Sequence, residues 1–150
     1  NADTSERCRI RGAAEGLLSS GIPYRADDVY PCDWTREAGY RRMRAILDER
    51  RDFDGVCCLN DPIAIGAHKA LTEAGVRVPQ DVAITGFDGV EDGRYLAPGL
   101  TSVTIDVHEA ADTCLKLLID RIERGTEHPP APRTIDLGYR VEARGSGERR

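Results

Sequence analysis

The chain is 150 residues long, the size of one ordinary domain, and 40% of it is apolar and 31% charged. That composition excludes a disordered chain, and the shortness of its apolar runs excludes a bilayer-spanning helix. Twenty-six acidic residues against twenty-one basic ones leave a net charge of −5, which argues against a grip on nucleic acid through this chain's own field.

In chain order, Ser5–Ser20 reads as a helix with apolar Cys8, Ile10, Leu17 and Leu18, stopped by Gly21. Asp28–Tyr30 is a short strand candidate closed by Pro31. Thr35 is placed to cap a second helix running to Arg50, in which Tyr40, Met43, Ile46 and Leu47 recur at helical spacing. Gly55–Leu59 is a continuous apolar run, the pattern of a strand covered on both faces. Asn60-Asp61-Pro62 reads as a helix start, with Asp61 as cap and Pro62 as first helical residue; the helix runs to Ala74 and ends at Gly75. Val82–Phe87 is a second apolar strand followed by Asp88, and a loop rich in Gly and Pro leads to a third, Leu100–Ile105. Val107–Arg124 is a long amphipathic helix stopped by Gly125. Thr126–Pro132 is rich in proline, and Arg133–Val141 reads as extended. Strands alternating with helices predict an α/β fold: a doubly wound, mainly parallel sheet flanked by helices.

The five cysteines (Cys8, Cys32, Cys57, Cys58, Cys114) are odd in number and two are adjacent, a poor disulfide framework. Reduced thiols, buried or half-buried in a cytoplasmic protein, are expected. No C-x-x-C pair is present and the histidines are scattered, so neither a metal nor another cofactor is expected.

Open α/β sheets bind ligands outside the carboxyl ends of their strands. Two strands pass there into polar residues, Leu59 into Asn60-Asp61 and Phe87 into Asp88. An amide and a carboxylate can together hold the hydroxyls of a polar neutral ligand, and Trp34 offers a flat wall for a sugar face or a base. Each residue also has a plainer reading: Asp61 as a helix cap, Asn60 as a turn residue, Trp34 as packing. Asp88 resists one, because a carboxylate directly after a buried strand needs a partner. No phosphate loop, G-x-S-x-G elbow or H-E-x-x-H pair occurs, and Asp106, His108 and Glu109 read as a helix start, so an enzyme is not expected.

The segment Leu59–Asp106 carries N-D before a helix with G-A and A-L, then G-x-x-V-P-x-D-V, G-F-D and P-x-L-T-S-V. In that order and spacing it closely resembles the effector-binding region of lac-repressor-type (LacI/GalR) transcriptional regulators. Arg9–Gly12, the stretch from Trp34-Thr35 to Gly39-Tyr40, and Arg144-Gly145-Ser146 extend the likeness over nearly the whole chain. The resemblance implies a periplasmic-binding-protein-like fold and, for this chain, its carboxyl-terminal lobe. It implies Ser5, Arg9, Trp34, Asn60 and Asp88 as contacts to a small effector, a sugar ahead of a purine. It divides the chain into a lobe (1–106), a helix that packs in the other lobe (107–125) and an extended tail (126–150). The DNA-binding head lies outside it, so DNA is a partner only through that helix-turn-helix, and no membrane is involved. The strand that precedes Ser5 in the family is missing as well, which leaves a sheet edge inviting a second chain. A homodimer or swapped assembly is therefore expected, and because family members dimerise through this lobe, the resemblance implies the helix Asp61–Ala74 and the loop Asp88–Leu100 as the dimer face. The alternative on the same fold is the sugar-binding protein of a transport system, against which the cysteines count.

Overall fold

Four helices are set by their end residues. The computed structural model of the chain describes residues 2–124 and 131–148, so the expectations for Gly125 and the start of the proline-rich stretch lie outside the described residues. Helix α1 (Ala2–Ser19) begins three residues ahead of the expected start and stops where Gly21 takes φ +74° and the Ile22 N–H closes back onto the Leu17 carbonyl at 2.9 Å. Helix α2 (Arg36–Glu49) is capped by Thr35, whose Oγ1 accepts from the Ala38 N–H at 3.1 Å. Helix α3 (Asp61–Glu73) is capped by Asn60, not by the expected Asp61: Asn60 Oδ1 accepts from the Ile63 N–H at 2.8 Å. Asp61 cannot cap because its carboxylate is turned into the interior, where it bonds elsewhere. Gly75, at φ +73°, ends α3. Helix α4 (Val107–Arg124) starts on Asp106, whose Oδ1 accepts from the His108 and Glu109 N–H groups at 3.0 and 3.1 Å.

The sheet has four described strands in sequential order: β1 (Gly55–Cys57), β2 (Ala83–Phe87), β3 (Thr101–Thr104) and β4 (Arg140–Glu142). The first three are parallel, and β4 returns antiparallel on β3 with Ser102 opposite Glu142. The expected mostly parallel α/β architecture is what the chain forms, with β4 the antiparallel edge. Only the end of the stretch expected to be extended, Arg140–Val141, joins that edge strand.

Two strand expectations need correction. Asp28–Tyr30 forms no strand: Ala26–Asp28 is a single 3-10 turn, and Val29 is extended without entering a ladder. An extended segment becomes a strand only beside a neighbour with free backbone groups. The Gly55–Leu59 run gives a strand of only three residues that is not covered on both faces, since Gly55 and Cys57 are exposed. Among the described strands β1 lies at the edge, paired on one flank only. The thiol expectation shifts with it. All five cysteines are free, but Cys8, Cys57 and Cys114 are exposed, Cys32 is half-buried and only Cys58 is buried.

The core lies between α2, α3 and the sheet: Met43, Ile46 and Leu47 face Ala64, Ala67, Ala70 and Leu71, with Cys58, Ile84 and Leu100 beneath. Burying each of the larger side chains contributes about 1.5–3 kcal/mol. The two helices touch backbone to backbone. A Cβ at Gly39 would meet the Ile63 backbone, and one at Gly66 would meet that of Arg36 and Tyr40. α4 differs, having no buried residue and leaving Leu115, Leu118, Ile119 and Ile122 each more than half exposed. The R-G-S segment is a stitch. Fully buried Ser146 accepts from the Thr101 N–H through Oγ at 2.8 Å, donates that hydroxyl to the Ile84 carbonyl at 2.6 Å, and accepts from the Ile84 N–H through its own carbonyl at 2.9 Å. No helix among the described residues is long and apolar enough to cross a membrane.

Candidate functional site

The carboxyl ends of β1 and β2 lie side by side, and α1 sends Arg9 across them. One Arg9 nitrogen, Nη1, donates to the Leu59 carbonyl just past β1, and Nη2 donates to Asp88 Oδ1 at 3.2 Å just past β2. The guanidinium lies 3.9 Å from the centre of the Phe87 ring and 5.2 Å from that of Trp34. A cation between two aromatic rings and bonded to a carboxylate is fixed in orientation as well as in charge.

Asp88 is the partner-seeking carboxylate expected from the sequence, and Arg9 is that partner. Loss of hydration from partial burial pushes its pKa above the ordinary aspartate value, and the nearby Arg9 charge pulls the other way. Its backbone stands at φ +107°, the one non-glycine residue with positive φ among the described residues, and its N–H donates to the Val103 carbonyl at 2.8 Å. Such a conformation costs about 1–3 kcal/mol and persists only where the surroundings fix it.

Trp34 precedes the cap of α2, so that helix sets its position, and its carbonyl accepts from Asn60 Nδ2 at 3.4 Å. Asn60 is therefore held at both ends of its amide, by Ile63 and by Trp34, and is buried beneath the edge. Ser5 lies exposed on α1 one turn before Arg9, outside the bonded cluster. Of the five residues singled out from sequence, Arg9, Trp34 and Asp88 converge, Asn60 supports them from below, and Ser5 stands apart. Phe87 and the Leu59 carbonyl were not singled out. Phe87 sits at the end of an apolar strand next to Asp88, and that position was its only signal.

Behind Asp88 is a second, fully buried carboxylate. Asp61 Oδ1 accepts from Ser102 Oγ at 2.6 Å and Oδ2 accepts from the Val90 N–H at 2.7 Å; Ser102 Oγ in turn accepts from the Gly89 N–H at 3.1 Å. Gly86 makes room for this, since a Cβ there would run into the Asp61 carboxylate. Elsewhere, Asp106 serves the start of α4, and the two backbone N–H groups it accepts hold its carboxyl below the usual range. Among the described residues no group of three or more His, Cys, Asp or Glu is arranged to hold a metal ion.

The edge thus offers hydrogen-bond acceptors on Asp88, donors on Arg9 and the aromatic surface of Trp34, a set suited to a polar ring-shaped molecule. Residues 1–147 match the family model described as a periplasmic binding protein-like domain. The chain is 33% identical over 138 residues to the HTH-type transcriptional repressor PurR of Yersinia pestis (strain Pestoides F), an alignment covering 92% of this chain and 40% of that protein. A transcriptional regulator of the LacI family from Sanguibacter keddieii superimposes with a TM-score of 0.86 at 37% identity, over 91% of this chain and 51% of the other. A LacI family transcriptional regulator from Enterococcus faecium, solved with bound ribose, gives a TM-score of 0.77 at 32% identity, over 93% and 50% of the two chains. The chain spans about half the length of these relatives, or less. Fold and sequence agree: the chain belongs to the periplasmic binding protein-like domain family, and the relatives it matches are LacI-family transcriptional regulators.

Proposed function

We propose that the chain is the carboxyl-terminal, effector-binding lobe of a transcriptional regulator, and that the effector is a sugar held at the Arg9–Asp88 edge. The observation that carries this reading is the Arg9 guanidinium locked between the Phe87 and Trp34 rings and the Asp88 carboxylate. The pair carries no net charge, which favours a neutral ligand over an ion. Asp88 accepts hydroxyl hydrogens, Arg9 donates to hydroxyl or ring oxygens, and Trp34 covers an apolar ring face. Asn60 holds the Trp34 backbone, and Ser5 sits where an incoming lobe would meet α1. The site binds its ligand and does not transform it.

The lobe spans 1–106; α4 belongs against a second lobe, and the tail returns to the first through β4. What supports this is the unpaired apolar stripe of α4 and the share of its relatives that the chain covers. A ligand that favours the closed arrangement of two lobes shifts the population toward it, and a DNA-binding head supplied by a segment outside this chain reads that shift. The protein works as a homodimer in the cytoplasm. Its contact face is the exposed side of α3 with the 88–100 loop, where Tyr95 stands largely exposed and Asp92 pairs with Arg36.

Calorimetric titration of the full-length natural protein with ribose, other monosaccharides and disaccharides, and purine bases tests the site. A sugar is expected to bind, and Asp88→Ala with Trp34→Ala together to weaken it by on the order of a hundredfold. Binding that survives the double variant removes this site; binding of a purine base alone removes the sugar.

A further inference from the structure

The strained backbone at Asp88 is held by three consecutive N–H groups. That of Asp88 donates to the Val103 carbonyl and belongs to the ladder between β2 and β3. Those of Gly89 and Val90 have no backbone acceptor there; they donate to Ser102 Oγ and Asp61 Oδ2, and the two side chains are joined by a bond of 2.6 Å. A carboxylate fully removed from water is stable only when its oxygens are matched, and here both are. The space around it is also fixed. Gly86 has no Cβ to displace Asp61, and Gly89, at φ +71°, has none to strike Thr104. We propose that Asp61 and Ser102 are positioning residues for Asp88, a buried latch that fixes the 88–90 backbone and thereby sets effector affinity. The proposal rests on the reading of the Arg9–Asp88 edge as the effector site.

The latch reaches the other wall of the site too. The loop it holds continues into the short turn Glu91–Tyr95, where Asp92 pairs with Arg36, the first residue of α2 and two residues from Trp34. A displaced Val90 would therefore move Asp88 directly and loosen the tie to the helix that carries Trp34. Asp61 makes no bond to Arg9; it acts on Asp88 through the backbone of Gly89 and Val90, and its charge adds a smaller repulsion on the Asp88 carboxylate.

Two measurements test this. In the 150-residue chain without ligand, amide hydrogen exchange followed by NMR should quicken at Gly89 and Val90 in Asp61→Asn, by on the order of tenfold, while Ile84 and Thr85 are unchanged. Asparagine keeps the shape of Asp61 but removes its charge. Its amide either sets a donor against the Val90 N–H or turns round and makes Ser102 Oγ an acceptor, and the charge-assisted bonds to Ser102 and Val90 are lost either way. Ser102→Ala, which removes a single hydroxyl, carries the same measurement should Asp61→Asn not fold. Unchanged exchange at both amides overturns the latch. In the full-length protein, Asp61→Asn should weaken ribose on the order of tenfold, and should cost nothing further once Asp88→Ala is in place. Equal losses in both backgrounds would assign Asp61 a general structural role and overturn the proposal. A wild-type protein that binds no sugar overturns the effector reading instead, and the exchange measurement still decides the latch.

Discussion

His68 shows what burial does to a single titratable group. It sits on α3 inside the fold with Nε2 lacking a hydrogen-bond partner, and loss of hydration holds its pKa below the ordinary imidazole value. The neutral form is the one that fits, so the unfolded chain takes up the proton first. Stability is then complete above the unfolded value, about 6.5, and declines as pH falls through it toward the folded value. The melting temperature should drop between about pH 7.5 and about pH 5.5, and His68→Leu should flatten part of that drop; parallel pH dependences in both proteins would clear His68. Asp88 is the mirror case, a carboxylate whose burial opposes its charge and whose backbone is strained, with the Arg9 guanidinium pulling the other way. In sequence it stood out for the right reason, the need for a partner. The partner's identity was beyond the reach of spacing, because Arg9 lies 79 residues away.

At the scale of elements, the crossing of α2 and α3 is set by two glycines. Ordinarily Gly→Ala inside a helix stabilises by about 1 kcal/mol. At Gly66 the added methyl would press on the backbone of Arg36 and Tyr40, so Gly66→Ala should instead destabilise by about 1–3 kcal/mol, read by urea denaturation. A neutral or stabilising result would mean that the helices can separate without loss. Helix ends were the most legible part of the sequence: Thr35, Gly21 and Gly75 act as their chemistry dictates. The start of α3 was displaced by one residue because Asn60 and Asp61 are both good caps, and the choice between them is made by Ser102 and Val90. Those partners come from distant parts of the chain. β1 misled for a similar reason. An apolar run announces a strand but says nothing about which of its flanks has a neighbour, and the exposure of Cys57 follows from an edge position invisible in the run itself.

At the scale of the whole molecule, the proposed dimer rests on the exposed side of α3 with the 88–100 loop, while the edge at β1 and the apolar stripe on α4 are further surfaces of the described residues that proteins ordinarily cover. Light scattering at about 50 μM should return the mass of two chains, and a monomer there would remove the dimer. The Ser146 stitch bears on how the molecule is made. Ile84 waits for a residue 62 positions further along the chain to match both its carbonyl and its N–H. At synthesis rates of about 5–20 residues per second that is a delay of roughly 3–12 s. Throughout it, the central strands present unmatched backbone groups beside apolar side chains, the state in which a nascent chain is most prone to aggregate or to occupy a chaperone. The flank between β2 and β3 is closed by a serine made long after those two strands, so the time the unfinished sheet spends exposed has a lower bound set by the synthesis of Ser146.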